Sequence, residues 1–122
     1  MIAVLAGGVG AARFLSGLVQ VVDPVSITAV VNTGDDTVMH GLHISPDLDT
    51  VTYTLAGAIN PETGWGLAGE SWRAMEELAA LSHGRLSWFN LGDRDLGTHL
   101  YRRASARRPR RSPPRASACA PS

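Results

Sequence analysis

The sequence predicts an α/β fold, an open parallel sheet with flanking helices, on three observations. Short apolar runs rich in β-branched residues stand at Met1 to Leu5 and Ser26 to Val31. A helix-spaced apolar run lies between them, and a glycine or acidic loop directly follows each strand. Strand, helix and strand joined by tight connections argue for a parallel sheet in a layered α/β domain.

Met1 to Leu5 reads as the first strand and ends in Gly7-Gly8-Val9-Gly10. Phe14, Leu15, Leu18, Val19 and Val22 then recur at helical spacing. Asp23-Pro24 stops that helix, because proline disfavours helical geometry in the residue before it. Ser26 to Val31 is the second strand. Residues 46 to 57 are expected to be helical: Ser45 suits the N-cap, Pro46 the first helical position, and Asp47 and Asp49 complement the positive end of the helix. Leu48, Val51, Thr52 and Leu55 should face inward, with Gly57 as a left-handed cap. Residues 60 to 69 (NPETGWGLAG) form a turn-rich loop. Glu70 to Leu81 is a further helix with Trp72, Met75, Leu78 and Ala79 on its buried face. Leu86 to Leu91 is a candidate third strand, and Gly92-Asp93-Arg94-Asp95 is the loop leaving it. Loops at the carboxyl ends of parallel strands share one sheet edge, so GGVG, NTGDD and GDRD are expected to converge there.

The 122 residues suffice for one small domain with a modest core. Formal neutrality hides a division of the chain. Residues 1 to 101 hold four Arg and all eleven acids, whereas residues 102 to 122 hold seven Arg and no acid. The second segment, RRASARRPRRSPPRASACAPS, has no hydrophobic periodicity and is expected to be a disordered Arg/Pro/Ala-rich tail. Such a tail suits an acidic surface or nucleic acid. An out-of-frame read of GC-rich coding DNA also yields mainly Arg, Pro, Ala and Ser, and the absence of Lys points to such DNA. A frameshift or truncation is therefore favoured over a functional arm. Cys119 is the only cysteine, which excludes an intramolecular disulfide and a thiol-rich metal site. The N-terminus lacks a basic region before its apolar stretch, and no apolar run spans a bilayer. A cytoplasmic setting without export or a membrane partner is expected.

The densest chemistry lies between Asn32 and Tyr53. Asp35, Asp36, Asp47 and Asp49 crowd one loop and one helix start, where they repel one another unless a cation or a proton sits among them. Their hard oxygens suit magnesium, which takes one or two carboxylates and completes its shell with phosphate and water. Singly, each has a plain reading as a turn or helix-start residue. Gly7, Gly8 and Gly10 let the backbone approach a bound group, with helix-start amides able to hold a phosphate. The pattern is neither the six-residue dinucleotide fingerprint nor a Walker loop, and a simple tight turn also explains it. His40, His43 and His99 show no metal spacing, and lone histidines are more often structural. Trp65, Trp72 and Trp88 read as core or pocket wall. Arg94, between Asp93 and Asp95, offers a planar fork for phosphate, against a surface salt bridge as the plain reading.

Taken together, LAGGVGAARFLSGL, VVNTGDDTVMHGLHISPDLDTVTYTL, NPETGWG and WFNLGDRDLGTHL resemble the 2-phospho-L-lactate transferase family of coenzyme F-420 biosynthesis. The resemblance covers roughly residues 1 to 100 and ends at about Tyr101. It implies a Rossmann-like open parallel sheet, truncated here. The implied reaction is a Mg2+-dependent transfer of a 2-phospholactyl or phosphoenolpyruvyl group from a guanosine diphosphate-linked donor to the deazaflavin Fo, releasing GMP. By resemblance Asp49 matches an aspartate that contacts Fo and helps bind metal, with Asp36 the next acidic candidate for catalysis and metal. Gly7, Gly8 and Gly10 match the loop near the donor phosphates. Asn32, Asp93 and Arg94 belong to the same substrate-binding motifs, and Asn90 falls where a second, often basic, Fo contact stands in the family. Family chains continue well beyond this point, so the chain alone is expected to lack transferase activity, and a homodimer is an expectation for the full-length protein only. A regulatory protein of the same fold that binds a sugar nucleotide, a small nucleic-acid module using the Arg tail, and a nonfunctional gene fragment are the competing readings. NTGDD followed by HGLHISPDLDT favours the transferase.

Overall fold

A computed structural model describes residues 1–86 and 89–106. Strand β1 (Ile2–Ala6) leads into helix α1 (Val9–Val21), and a single 3-10 turn at Pro24–Ser26 brings the chain to β2 (Ile27–Val31). Asp23 sets that turn by accepting from the amide of Val25 at 3.0 Å. β1 and β2 pair in parallel from Ile2 opposite Ile27 to Ala6 opposite Val31, as the strand, helix, strand pattern requires. The ladder runs on one step, with the amide of Asn32 donating to the carbonyl of Ala6 at 2.8 Å.

The next elements depart from the sequence reading. Thr37–Met39 (β3) and Leu42–Ile44 (β4) form an antiparallel hairpin where only a loop was expected. Its two turn residues, His40 and Gly41, both have positive φ, 52° and 73°, the handedness that matches strand twist in two-residue hairpins. Leu42 and Ile44 face inward and His43 between them faces out, the period-2 alternation of a half-buried strand.

Helix α2 (Pro46–Leu55) follows, and Gly57 closes it at φ 67° as expected. Of its predicted inward face only Val51 is buried, and Thr52 is exposed. Leu48 and Leu55 are exposed, while Asp49, Thr50, Val51 and Tyr53 are buried. The cause is the partner: Asp49 and Tyr53 find polar groups on α4 (Asp93–Ala106), which turn that stripe inward. Helix α3 (Arg73–Ser82) begins three residues later than predicted, because Glu70 and Ser71 are drawn to α4: Glu70 accepts from the amide of Arg94, and the Ser71 hydroxyl donates to Asp93. Met75 is its buried residue, whereas Trp72 sits at the N-cap and is exposed.

The candidate third strand is not one in its described residues. Leu86 lies in a turn and Phe89 to Leu91 is an irregular connection, since β1 and β2 pair only with each other among the described residues. Ser87, Trp88 and residues 107–122, Cys119 among them, lie outside the described residues. Gly92-Asp93-Arg94-Asp95 is not a loop at a strand end. Asp93, Arg94 and Asp95 form the first turn of α4, the amides of Arg94 and Asp95 capped by Glu70 and that of Asp93 donating to the carbonyl of Ser71. The same helix corrects the boundary at residue 101: it continues through Ala106, so Arg102 and Arg103 belong to the folded part. Arg103 donates to the carbonyl of Gly41 at 2.7 Å and ties the helix to the hairpin turn.

Two apolar clusters result. Ala6, Ala12, Leu15 and Val51 join β1, α1 and α2; Leu42, Ile44, Met75 and Leu91 join the hairpin, α3 and the approach to α4. Helix α2 stands against α1, while β4 and α3 both contact α4. The outward side of the parallel pair is bare, with Leu5 86% and Val30 55% exposed, although parallel strands are ordinarily covered on both faces.

Candidate functional site

Three polar groupings line up along α2. At its N-terminal end, the Asn32 amide donates to Asp47 Oδ2 at 2.9 Å, and a side chain at Gly8 would meet Asp47 Oδ1 at 3.1 Å. A side chain at position 8 would press on that carboxylate and require it to give by a few tenths of an ångström. Gly7 and Asn32 line an open groove of about 440 Å³ at the carboxyl ends of β1 and β2, and Gly10 lies in the first turn of α1. The first two predicted loops therefore do converge, as the parallel pair dictates.

The second grouping surrounds Asp36. Its Oδ2 accepts from the Ser45 hydroxyl at 2.9 Å and lies 3.0 Å from His43 Nε2. The His43 contact, with help from Ser45, holds the Asp36 carboxyl below the usual range against the opposing effect of burial. Ser45 was expected to cap α2 with its side chain; that hydroxyl is turned to Asp36 instead. Asp36 Oδ1 is buried without a hydrogen-bond partner. Asp35 is exposed.

The third grouping lies between α2 and α4. Asp49 is ion-paired with Arg102, and its Oδ2 is 3.7 Å from Nδ1 of His99. The other ring nitrogen, Nε2, is 3.2 Å from Oδ1 of Asp95, one helical turn earlier on α4. The Tyr53 hydroxyl donates to that same Asp95 oxygen at 2.6 Å. Burial pushes the Asp49 carboxyl up, only partly offset by Arg102. Burial acts on Asp95 in the same sense, but the His99 ring and the Tyr53 hydroxyl together bring it below the usual value. Burial, then Asp95, pushes the Tyr53 phenol up. Arg102 also lowers the Asp36 carboxyl through its charge, so it links the second and third groupings.

Asp49, Tyr53 and Asp95 form one side of a pocket of about 490 Å³. Trp65, Trp72 and Phe89 supply apolar walls, and Asn60, Glu70 and Asn90 supply polar ones. A flat ring system fits such a lining, since aromatic faces accept stacking and a few polar groups set orientation. Asp49 and Asn90, predicted together, are brought to this one pocket. Asp93 and Arg94 are placed elsewhere. Asp93 caps α3 by accepting from the amides of Arg73 and Ala74 and from the Ser71 hydroxyl, and the Arg94 guanidinium donates to the carbonyl of Ala68 at 2.8 Å.

The family model described as 2-phospho-L-lactate transferase CofD matches residues 2–107. The chain belongs to the 2-phospho-L-lactate transferase family. Relatives named phosphoenolpyruvate transferase are 58% identical over 101 residues in Nocardia farcinica, 56% over 101 in Streptomyces coelicolor and 54% over 110 in Mycolicibacterium smegmatis. Each match covers 83% of this chain but only 30%, 31% and 33% of the relative, so the chain spans about a third of the length of the curated relatives it matches. For this member of the 2-phospho-L-lactate transferase family, sequence reasoning left Tyr53, Asp95 and Arg102 out of the site and set His99 aside. The signal was the spacing of Asp95 and His99, four apart on what proves to be one helix. Among the described residues no helix is long and apolar enough to cross a membrane.

Proposed function

We propose that the chain supplies the acceptor-binding part of a transferase that moves a phosphoenolpyruvyl or 2-phospholactyl group from a guanosine diphosphate-linked donor to the deazaflavin Fo. The carrying observation is the pocket that sets Asp49 and Asn90 among Trp65, Trp72 and Phe89. The relatives' shared name favours phosphoenolpyruvate as the three-carbon acid. In this reading the deazaflavin ring stacks in the aromatic pocket and its side-chain hydroxyl points to Asp49. The donor diphosphate lies toward the groove of Gly7 and Asn32, near the amides that open α1. The hydroxyl oxygen forms a bond to the phosphorus carrying the acid, the bond from that phosphorus to the bridging oxygen breaks, and GMP leaves. Asp49, facing that hydroxyl, takes its proton.

Asp36 and Asp49 are the residues that would hold Mg2+. Oδ1 of Asp36 is a hard oxygen buried without a hydrogen-bond partner, and Asp49 would be the second carboxylate. Bound there, Mg2+ would neutralise charge on the diphosphate. Because the chain is a third as long as its relatives, the account expects it to bind Fo and not to turn it over. Fo fluorescence titrated with the chain tests the reading. Saturable binding weakened about tenfold by Asp49→Asn supports it, and a folded chain that leaves Fo fluorescence unchanged overturns it.

A further inference from the structure

The His99 imidazole is wholly buried, with its side chain at 0% exposure, and neither ring nitrogen makes a hydrogen bond. Leaving a buried polar group unsatisfied costs about 1–3 kcal/mol, so such a ring calls for a physical reason. Both nitrogens face carboxylates, at 3.2 Å and 3.7 Å, but the geometry is not that of N–H donation. We propose that Asp49, Asp95 and His99 form a site for a first-row dication such as Mn2+ or Zn2+, which shares Asp49 with the Mg2+ ligand set but takes Asp95 and His99 in place of Asp36.

One ligand atom from each of the three residues lies within 4.8 Å of the others. The 3.2 Å between His99 Nε2 and Asp95 Oδ1 is the spacing of two ligands on one ion, since a tetrahedral site with bonds of about 2.0–2.1 Å sets neighbouring ligands roughly 3.3 Å apart. Asp95 and His99 project from one face of α4, and Asp49 comes from the facing helix, so the ligand set does not depend on a loop. Both carboxylates line the pocket, which gives an ion its path in. Imidazole in the set favours Zn2+ over magnesium, and the two carboxylates also admit Mn2+, which serves as the paramagnetic probe. Around these ligands the Tyr53 hydroxyl donates to Asp95 and Arg102 pairs with Oδ1 of Asp49, whose Oδ2 faces Nδ1, the ring nitrogen opposite the one beside Asp95.

This inference shares Asp49 with the transferase reading but does not rest on it. The test is Mn2+ titration of the purified chain followed by pulsed EPR, which reports an imidazole nitrogen bound to the ion. The expected result is one bound Mn2+ with nitrogen coupling. The coupling should vanish in His99→Gln, Asp95→Asn should weaken binding roughly 10- to 100-fold, and Asp36→Asn should leave the coupling in place. Bound Mn2+ without nitrogen coupling, coupling that survives His99→Gln, or no binding at all would overturn the proposal. If His99→Gln does not fold, a variant carrying Gln at positions 40, 43 and 83 decides, because His99 is then the remaining histidine. Coupling retained there supports the site, and coupling lost overturns it. Loss of Fo binding with Mn2+ coupling intact would count against the transferase reading alone.

Discussion

Arg102 of α4 is ion-paired with Asp49 of α2, joining the residue singled out from the sequence for chemistry to a residue assigned from composition to a tail. The Asp49 side chain is 9% exposed and that of Arg102 30%. Removing the cation strands a nearly buried carboxylate. Arg102→Met is therefore expected to destabilise the chain by on the order of 2 kcal/mol, between the surface and fully buried limits for such pairs. Urea denaturation measures it, and an unchanged midpoint would show that the pair does not matter to the fold.

Glu70 and Asp93 cap each other's helices. Glu70, just before α3, accepts from the amides of Arg94 and Asp95 in α4, while Asp93, which opens α4, accepts from Arg73 and Ala74 in α3. A side chain at Gly92 would collide with the Glu70 carboxylate. Glu70 can swing aside, so the expected cost of Gly92→Ala is that of the lost cap, about 1–2 kcal/mol. The check is a double-mutant cycle: in a Glu70→Ala background the same change should cost much less.

Acid stability follows from the same cap. Hydrogen bonds from Ala74 and Ser71 hold the Asp93 carboxyl below its ordinary value of 3.8. A depressed folded value means that Asp93 contributes stability that is complete above pH 3.8 and is lost as pH falls through the lower folded value. Thermal midpoints of the wild type and Asp93→Asn should differ by a constant amount near neutrality and draw together below pH 3.8. A gap that widens on acidification would contradict the assignment.

The two apolar clusters should respond independently. Leu15 belongs to one at 1% exposure and Leu91 to the other at 2%. Each Leu→Ala change is expected to cost about 3 kcal/mol, with the double variant near the sum, because residues without shared partners add. Guanidinium unfolding of the three variants measures both claims.

Much of this was legible in the chain. The β1, α1, β2 unit follows from apolar period and from Asp23-Pro24, and the convergence of the Gly7-Gly8 and Asn32 loops follows from the parallel pair, whereas the GDRD segment expected beside them opens α4 instead. The hairpin was hidden because His40 holds a positive φ at a position more often given to Asn, Asp or Gly. Helix α4 was hidden because Gly92-Asp93-Arg94-Asp95 looks like a turn, yet acids in a first helical turn had already been recognised at Asp47 and Asp49. His99 seemed a lone histidine because Asp95, one turn earlier on the same helix, was read as part of a loop and Asp49 comes from another helix. Tertiary pairing, unlike periodicity, leaves no local mark.

Titration of Fo fluorescence with the purified chain, wild type against Asp49→Asn, tests the central claim most directly. The account predicts saturable binding of Fo to the wild type, about tenfold weaker in the variant, with no transfer by the chain alone. A folded wild-type chain that fails to bind Fo, or binding untouched by Asp49→Asn, would contradict it.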